Sequence, residues 1–240
     1  MKVRFRPLIA VFLLAGCLAW AEGMRPVHAS KVMVASVHEL ASQTGVDIMR
    51  SGGNAVDAAV ATGFALAVVH PAAGNLGGGG FLLLRLANGE VHFLDFREKA
   101  PAKASASMYL DAKGNVIPQA SQVGYRAVAV PGSVAGLVEA QRRWGKLPLK
   151  QVMEPAIRLA RDGFALRYAD ARSLHDELLA QFAESKRIFQ RNGNYYEQGE
   201  IFRQPELART LERIAENPDD FYHGAMAREL AAAVQQGGGL

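Results

Sequence analysis

Between Ala55 and Val69 the chain reads AVDAAVATGFALAVV, which places apolar side chains on almost every face of a helix. A helix apolar all round belongs in a core. This one is too short to cross a bilayer, which takes about 20 apolar residues. Asn54 stands at its N-cap position, and Asp57 follows three residues later. There a carboxylate meets the free N–H groups of the first turn and the positive end of the helix dipole. Asp57 is therefore read as a capping residue and not as a catalytic one. Val37–Arg50 has the same helical period and is closed by Gly52 or Gly53. His70, just before Pro71, is read as the cap that ends the apolar helix.

The period then changes. Gly80–Leu86 and Glu90–Phe96 are short apolar runs joined through Asn88-Gly89. That dipeptide signals a hairpin with a two-residue type I′ turn, which needs positive φ at both positions. Such a turn pairs Ala87 with Glu90 and sets Leu83 across from Leu94, Leu82 from Asp95, Phe81 from Phe96 and Gly80 from Arg97. DAKGN at 111–115 reads as a second turn, and Arg126–Val130 as a short strand ended by Pro131-Gly132. From Ser133 onward the pattern is helical: Val134–Trp144, Leu149–Arg161, Tyr168–Phe182, Pro205–Glu216 and Asp219–Gln235, punctuated by Gly163, Gly193 and Gly199. Early strands with helices around them imply a layered α/β domain, helix-rich in its C-terminal half. No repeat or low-complexity linker marks a boundary.

Glycines 77–80 open the first of these strands. Glycine weakens a strand unless something must come close to its backbone. The run lacks the Lys-Ser/Thr of a phosphate loop and leads into a strand, not a helix, so it is not a nucleotide-binding loop. At the same end of the hairpin stands Arg97, whose guanidinium is a rigid fork of donors for a carboxylate. Bare backbone beside it leaves room for a small anionic ligand. Spacing alone supports a second reading, in which Arg97 pairs with Asp95 or Glu98 and the glycines only let helix and sheet approach.

Composition changes the picture mainly at the N-terminus. The chain has 240 residues, is 50% hydrophobic and carries a net charge of +4. Lys2, Arg4 and Arg6 supply three of those four charges and precede the apolar run Pro7–Ala21. This is the pattern of a signal peptide at 1–21, cut after Ala19-Trp20-Ala21, with Val27-His28-Ala29 as a second choice. LAGC at 14–17 also has the form of a lipobox, which would put a lipid on Cys17. A periplasmic or secreted protein follows, with a lipid anchor as the alternative to free release. The remainder is nearly neutral and has no basic stripe, which excludes nucleic acid as a partner. Cys17 is the only cysteine, and no pair of the six histidines has the spacing of a zinc motif. No metal site and no cofactor is read from the sequence. Trp144 and Tyr195-Tyr196 are read as packing residues.

SGGNAVDAAVATGFALAVVHPAAGNLGGGGF, LDFREKAP, AVPGSVAG, PAIRLARDGF and ENPDDFYHG together resemble the N-terminal half of the γ-glutamyltranspeptidase (glutathione hydrolase) family. The resemblance runs from about Val34 to the last residue and places the domain at 30–240. It implies a four-layer αββα fold of the N-terminal-nucleophile hydrolase class, here incomplete. It also implies transfer or hydrolysis of γ-glutamyl groups, as from glutathione, through an acyl-enzyme. Arg97 matches the arginine of the family's DFRE motif, which binds the α-carboxylate of the γ-glutamyl group.

In the family the nucleophile is a threonine that becomes the N-terminus of a small subunit, with its own α-amine as base. Family members run on past QQGGGL into that segment. Thr44, Thr62 and Thr210, the three threonines here, fall in helical patterns unlike the processing site. No catalytic residue is therefore assigned, and the chain is expected to be inactive without a C-terminal small-subunit segment. Two other readings stay open: a relative of glutaryl-cephalosporin acylase, and a vestigial or binding protein that keeps the carboxylate pocket without chemistry.

Overall fold

A computed structural model describes residues 26–74 and 76–240. The signal peptide, Cys17 and the cut site at Ala21 lie outside the described residues. Residues 26–33 are exposed and carry neither helix nor strand. Residues 34–240 form the compact unit described below.

Helix α1 (Glu39–Arg50) ends as its glycines suggest. Gly52 takes φ +101°, the Gly53 N–H reaches the Ile48 carbonyl at 3.0 Å, and the Gly52 N–H reaches Met49. Paired bonds of this kind, with a left-handed residue just past the helix, close a C-terminus and satisfy carbonyls that would otherwise be orphaned. Helix α2 (Ala55–Val69) is the core helix expected from its sequence, with Val60, Phe64, Ala65 and Val68 fully buried. Its N-terminus carries a capping box. Asn54 accepts from the Val56 and Asp57 N–H groups, and the Asp57 carboxylate accepts from the Asn54 N–H. Asp57 does more than cap. It is fully buried and also accepts from the Lys146 and Leu147 N–H groups at 2.9 and 3.3 Å. One carboxylate thus ties the start of α2 to a loop distant in sequence.

Helices α3 (Ser133–Trp144), α4 (Leu149–Asp162) and α7 (Pro205–Glu216) complete the helical layer. α2 packs against α1, α3 and α4, and α4 against α7. The strands β1 (Phe81–Arg85) and β2 (Val91–Asp95) form an antiparallel hairpin laid on α3.

The register differs from the expected one by one residue. Leu82 faces Leu94, Leu83 faces Phe93 and Phe81 faces Asp95. The loop holds three residues, Ala87–Gly89, instead of two. Gly89 donates to the Leu86 carbonyl at 3.0 Å and alone takes the left-handed region, at φ +90°. Asn88 keeps negative φ, with its side chain accepting from the Glu90 N–H at 3.0 Å. This is a type I turn followed by a bulge glycine, the other common way to close a hairpin. A one-residue slip decides which side chains share a face. Leu82, Leu84, His92 and Leu94 point toward the helices, and Phe81, Leu83, Val91 and Phe93 point away.

Three further expectations are corrected. Arg126–Val130 is not a strand: residues 125–127 form a 3-10 turn, and only Val130 pairs, with Lys99. The helix expected over Tyr168–Phe182 stops at Ser173 (α5, Tyr168–Ser173), and an unforeseen helix α6 (Ala183–Gln190) follows. The cause is tertiary. Buried Gln190 donates to the Leu174 and Asp176 carbonyls at 2.9 and 2.8 Å, taking acceptors that a continuing helix would use. The last helix breaks into α8 (Asp220–His223) and α9 (Ala225–Gln236), because the Asp220 carboxylate caps the Ala225 N–H at 2.6 Å. The two-residue strands β3 (Phe164–Ala165) and β4 (Ile201–Phe202), which pair with each other, left no readable pattern.

The N-cap of α1 is a histidine. The His38 ring accepts from the Leu40 N–H through Nδ1 at 3.2 Å, so the proton sits on Nε2, which faces Asp170 at 3.3 Å. Burial first, and then the Arg167 charge, pushes the His38 imidazole below its ordinary range, against the opposing pull of Asp170 and Glu39. The folded protein therefore holds His38 neutral where the unfolded chain would bind a proton. The stability it contributes is complete above the unfolded pKa of about 6.5 and is lost as pH falls from there through the folded value. Chemical denaturation across pH 7.5 to 5 should show that loss, and His38→Asn, which caps without titrating, should flatten it. Asp57→Ala should lower unfolding free energy by about 3 kcal/mol, because the Asn54, Lys146 and Leu147 N–H groups lose the buried carboxylate that bonds all three. The urea midpoint is the measure, and a change under 1 kcal/mol would contradict that role.

Candidate functional site

The site grows from the end of β2. Gly80 and Phe96 exchange backbone hydrogen bonds at 3.2 and 3.0 Å, which carries the ladder one pair past the named strands. In the observed register Arg97 therefore falls beside Gly79 instead of Gly80. The closeness of glycine loop and arginine survives the slip. A side chain on Gly79 would press on the Phe96 carbonyl, the Arg97 carbonyl carbon and the Glu98 N–H.

On the other side of the same backbone lies α3. Its first residues are anchored to the glycine loop, since the Gly132 and Ser133 N–H groups both donate to the Gly78 carbonyl, at 2.8 and 2.9 Å. Gly132 lies against the Phe96 carbonyl, and the Phe96 ring rests directly on Gly136, where a methyl group would overlap it. Gly79, Gly132 and Gly136 thus clasp Phe96 and Arg97 from two sides.

Arg97 points the other way, onto the hairpin's outer face, and its side chain is 63% exposed. Phe81, Leu83 and Phe93 on that face are 56, 75 and 63% exposed. The guanidinium lies 5.8 Å from the Phe81 ring centroid. Its Nε donates to Glu98 Oε2 at 2.9 Å, and the Arg97 N–H donates to Asp95 Oδ1 at 2.9 Å. Among the described residues its two terminal nitrogens have no acceptor. The alternative reading of Arg97, a partner for Asp95 or Glu98, is thus realised in part, yet most of the fork is free.

The sequence named Glu98 only as an alternative partner for Arg97. Its own backbone N–H first, then the Arg97 guanidinium and the Gly79 N–H, hold its carboxyl below the usual carboxylate range. The Glu98 carboxylate thus occupies the Arg97 Nε at the glycine-loop end of the hairpin, a charge-assisted pair of the kind a guanidinium makes with a small anion. Nothing in DFREKAP distinguishes Glu98 from a solvated surface charge until the glycine loop is laid against it.

The three threonines lie elsewhere. Each hydroxyl donates to the carbonyl four residues back in its own helix: Thr44 to Leu40 at 2.9 Å, Thr62 to Ala58 at 2.7 Å, and Thr210 to Glu206 at 3.1 Å. Such bonds are the ordinary resting state of a helical threonine.

The chain has relatives among known proteins. The family model for gamma-glutamyltranspeptidase matches residues 41–240. Glutathione hydrolase proenzyme of Escherichia coli is 49% identical over 219 residues, covering 90% of this chain and 38% of that protein. The proenzyme of Pseudomonas sp. is 48% identical over 224 residues, covering 92% and 39%. The chain thus spans well under half the length of these relatives. Among solved structures, Helicobacter pylori gamma-glutamyltranspeptidase superposes with a TM-score of 0.87 at 45% identity, over 90% of this chain and 63% of that one. A cephalosporin acylase from Bacillus halodurans superposes at 0.78 and 30% identity, over 90% and 42%. The fold is that of the N-terminal-nucleophile hydrolases expected from the resemblance, and the described residues are helix-rich with two short two-stranded sheets. On the family match across most of its length, together with these identities, the chain belongs to the gamma-glutamyltranspeptidase family.

Proposed function

We propose that this chain is the large-subunit portion of a γ-glutamyltransferase or glutathione hydrolase, and that Arg97 holds the α-carboxylate of the γ-glutamyl donor. The observation that carries this reading is the position of Arg97. It stands on a bare apolar face, beside backbone N–H groups, with most of its fork free. An exposed face of this kind calls for a cover. The cover proposed is a C-terminal small-subunit segment, which would close the pocket over Arg97 and bring the nucleophile. That nucleophile would be an N-terminal threonine whose hydroxyl attacks the γ-carbonyl and whose α-amine takes the proton. The tetrahedral adduct then expels the leaving amine, which takes that proton from the α-amine, and water or an acceptor amine resolves the acyl-enzyme that remains. The threonines of this chain, committed to their own helices, are not assigned to that step.

The structural likeness to a cephalosporin acylase favours one second reading, a glutaryl donor. A glutaryl group keeps a carboxylate at the same distance from the scissile carbonyl and lacks only the α-amino group, so Arg97 would serve either donor and the preference between them turns on the amine. Comparing γ-glutamyl and glutaryl anilides separates the two.

For localisation we propose export to the periplasm or beyond, supported by the basic start and apolar run of residues 1–21 and by LAGC. Mass spectrometry of the mature N-terminus should find Glu22 first or an acylated Cys17. An intact Met1 would contradict both.

For the activity, residues 22–240 alone should release no leaving group from a γ-glutamyl anilide, and adding the small-subunit segment should restore release. In that complex Arg97→Lys keeps the charge and loses the fork. A bidentate charged pair is worth ~1.5–3 kcal/mol, so KM should rise roughly tenfold or more at ~1.4 kcal/mol per decade. An unchanged KM would return Arg97 to a purely structural role.

A further inference from the structure

The clasp around Phe96 and Arg97 has a consequence for binding. Arg97 faces outward and is exposed, and only the Glu98 carboxylate and the Phe81 ring meet its side chain. The point from which that side chain starts is set by its backbone, and its backbone is held by Phe96. The Phe96 ring lies against Gly136, its carbonyl against Gly132, and its N–H and carbonyl are bonded to Gly80. The loop that would contact the same ligand hangs from the same point, because Gly78 accepts from the Gly132 and Ser133 N–H groups.

We propose that Gly136 and Gly132, with Phe96, are positioning residues for donor recognition. By leaving no Cβ between α3 and β2 they set the distance between the Arg97 guanidinium and the glycine-loop N–H groups, and so the fit to an α-carboxylate. The inference rests on the reading of Arg97 given above. A methyl group on Gly136 must displace the Phe96 ring, and the displacement passes along one peptide bond to Arg97. Protein interiors are packed closely enough that such an insertion is felt as a shift and not absorbed. Bidentate recognition depends on that geometry.

The test uses the chain in complex with its small-subunit segment, assayed on a γ-glutamyl anilide and on the 4-aminobutyryl anilide, which keeps the amine and lacks the α-carboxylate. Gly136→Ala should raise KM for the γ-glutamyl donor about fivefold to tenfold, with kcat within about twofold, if ~1–1.4 kcal/mol of carboxylate binding is lost. The 4-aminobutyryl donor should show no change. In a cycle with Phe96→Ala, the double variant should lose less than the two single losses combined, because removing the ring removes the overlap. Should Gly136→Ala fail to fold, Phe96→Leu loosens the seat without adding a clash and should raise the same KM. Additive losses, or equal losses for both donors, would overturn the inference. Arg97→Ala separates its failure from that of the underlying reading. If Arg97→Ala raises KM while Gly136→Ala and Phe96→Leu do not, only the positioning claim fails. If Arg97→Ala leaves KM unchanged, the reading of Arg97 fails first.

Discussion

The approach of three glycines to one peptide segment is the constraint on which the site depends. Gly79 comes from the loop before β1, and Gly132 and Gly136 come from the start of α3. Between them Phe96 and Arg97 have no freedom to move toward either neighbour. The cost is ordinary: glycine in a helix loses about 1 kcal/mol relative to alanine, and glycine beside a strand contributes nothing to packing. The gain is that a long, exposed, flexible side chain starts from a fixed backbone. A guanidinium is worth most when its fork is held to one geometry before the ligand arrives.

The same arrangement explains why the hairpin has two unlike faces. Leu82, Leu84 and Leu94 pack against the helical core. Phe81, Leu83, Val91 and Phe93 meet solvent with Arg97 among them. Apolar groups around a guanidinium strengthen its hold on an anion once water is excluded, because the charges are then less screened. Within the described residues this face is open, and the Glu98 carboxylate takes one of the fork's donors. A donor carboxylate would meet an arginine already oriented by an acid of the same chain and still offering its terminal nitrogens.

Much of the fold was legible because local signals agreed. In α2 the all-apolar face, Asn54 and Asp57 say the same thing, and the structure has the capping box they imply. The Gly52-Gly53 stop of α1 and the DAKGN turn, with Gly114 at φ +83°, were equally local. The hairpin was legible but its register was not. FLLLR and VHFLD carry large apolar residues on both faces, so alternation gives no check, and Asn-Gly fits either a two-residue turn or a bulged three-residue one. The break after Ser173 was hidden because it depends on Gln190, a residue from the next helix. The glycine run drew attention to Arg97, but spacing left its pairing with Asp95 or Glu98 open, and its ligand role was read only from the resemblance of DFRE. Glu98, Gly132 and Gly136 could not be assigned, because their roles exist only once α3 is laid against β2. GSVAG, with small residues four apart at a helix start, was the one available hint.

The central claim is that the Arg97 fork receives a carboxylate once its face is covered. Nitrogen-15 NMR of the arginine side chains, on the complex of this chain with its small-subunit segment, reads it most directly. Titration with L-glutamate should shift the Arg97 Nη resonances and slow their exchange with water, while the other arginines stay in place. An Arg97 spectrum that does not respond, in a complex that still binds L-glutamate, would contradict the account.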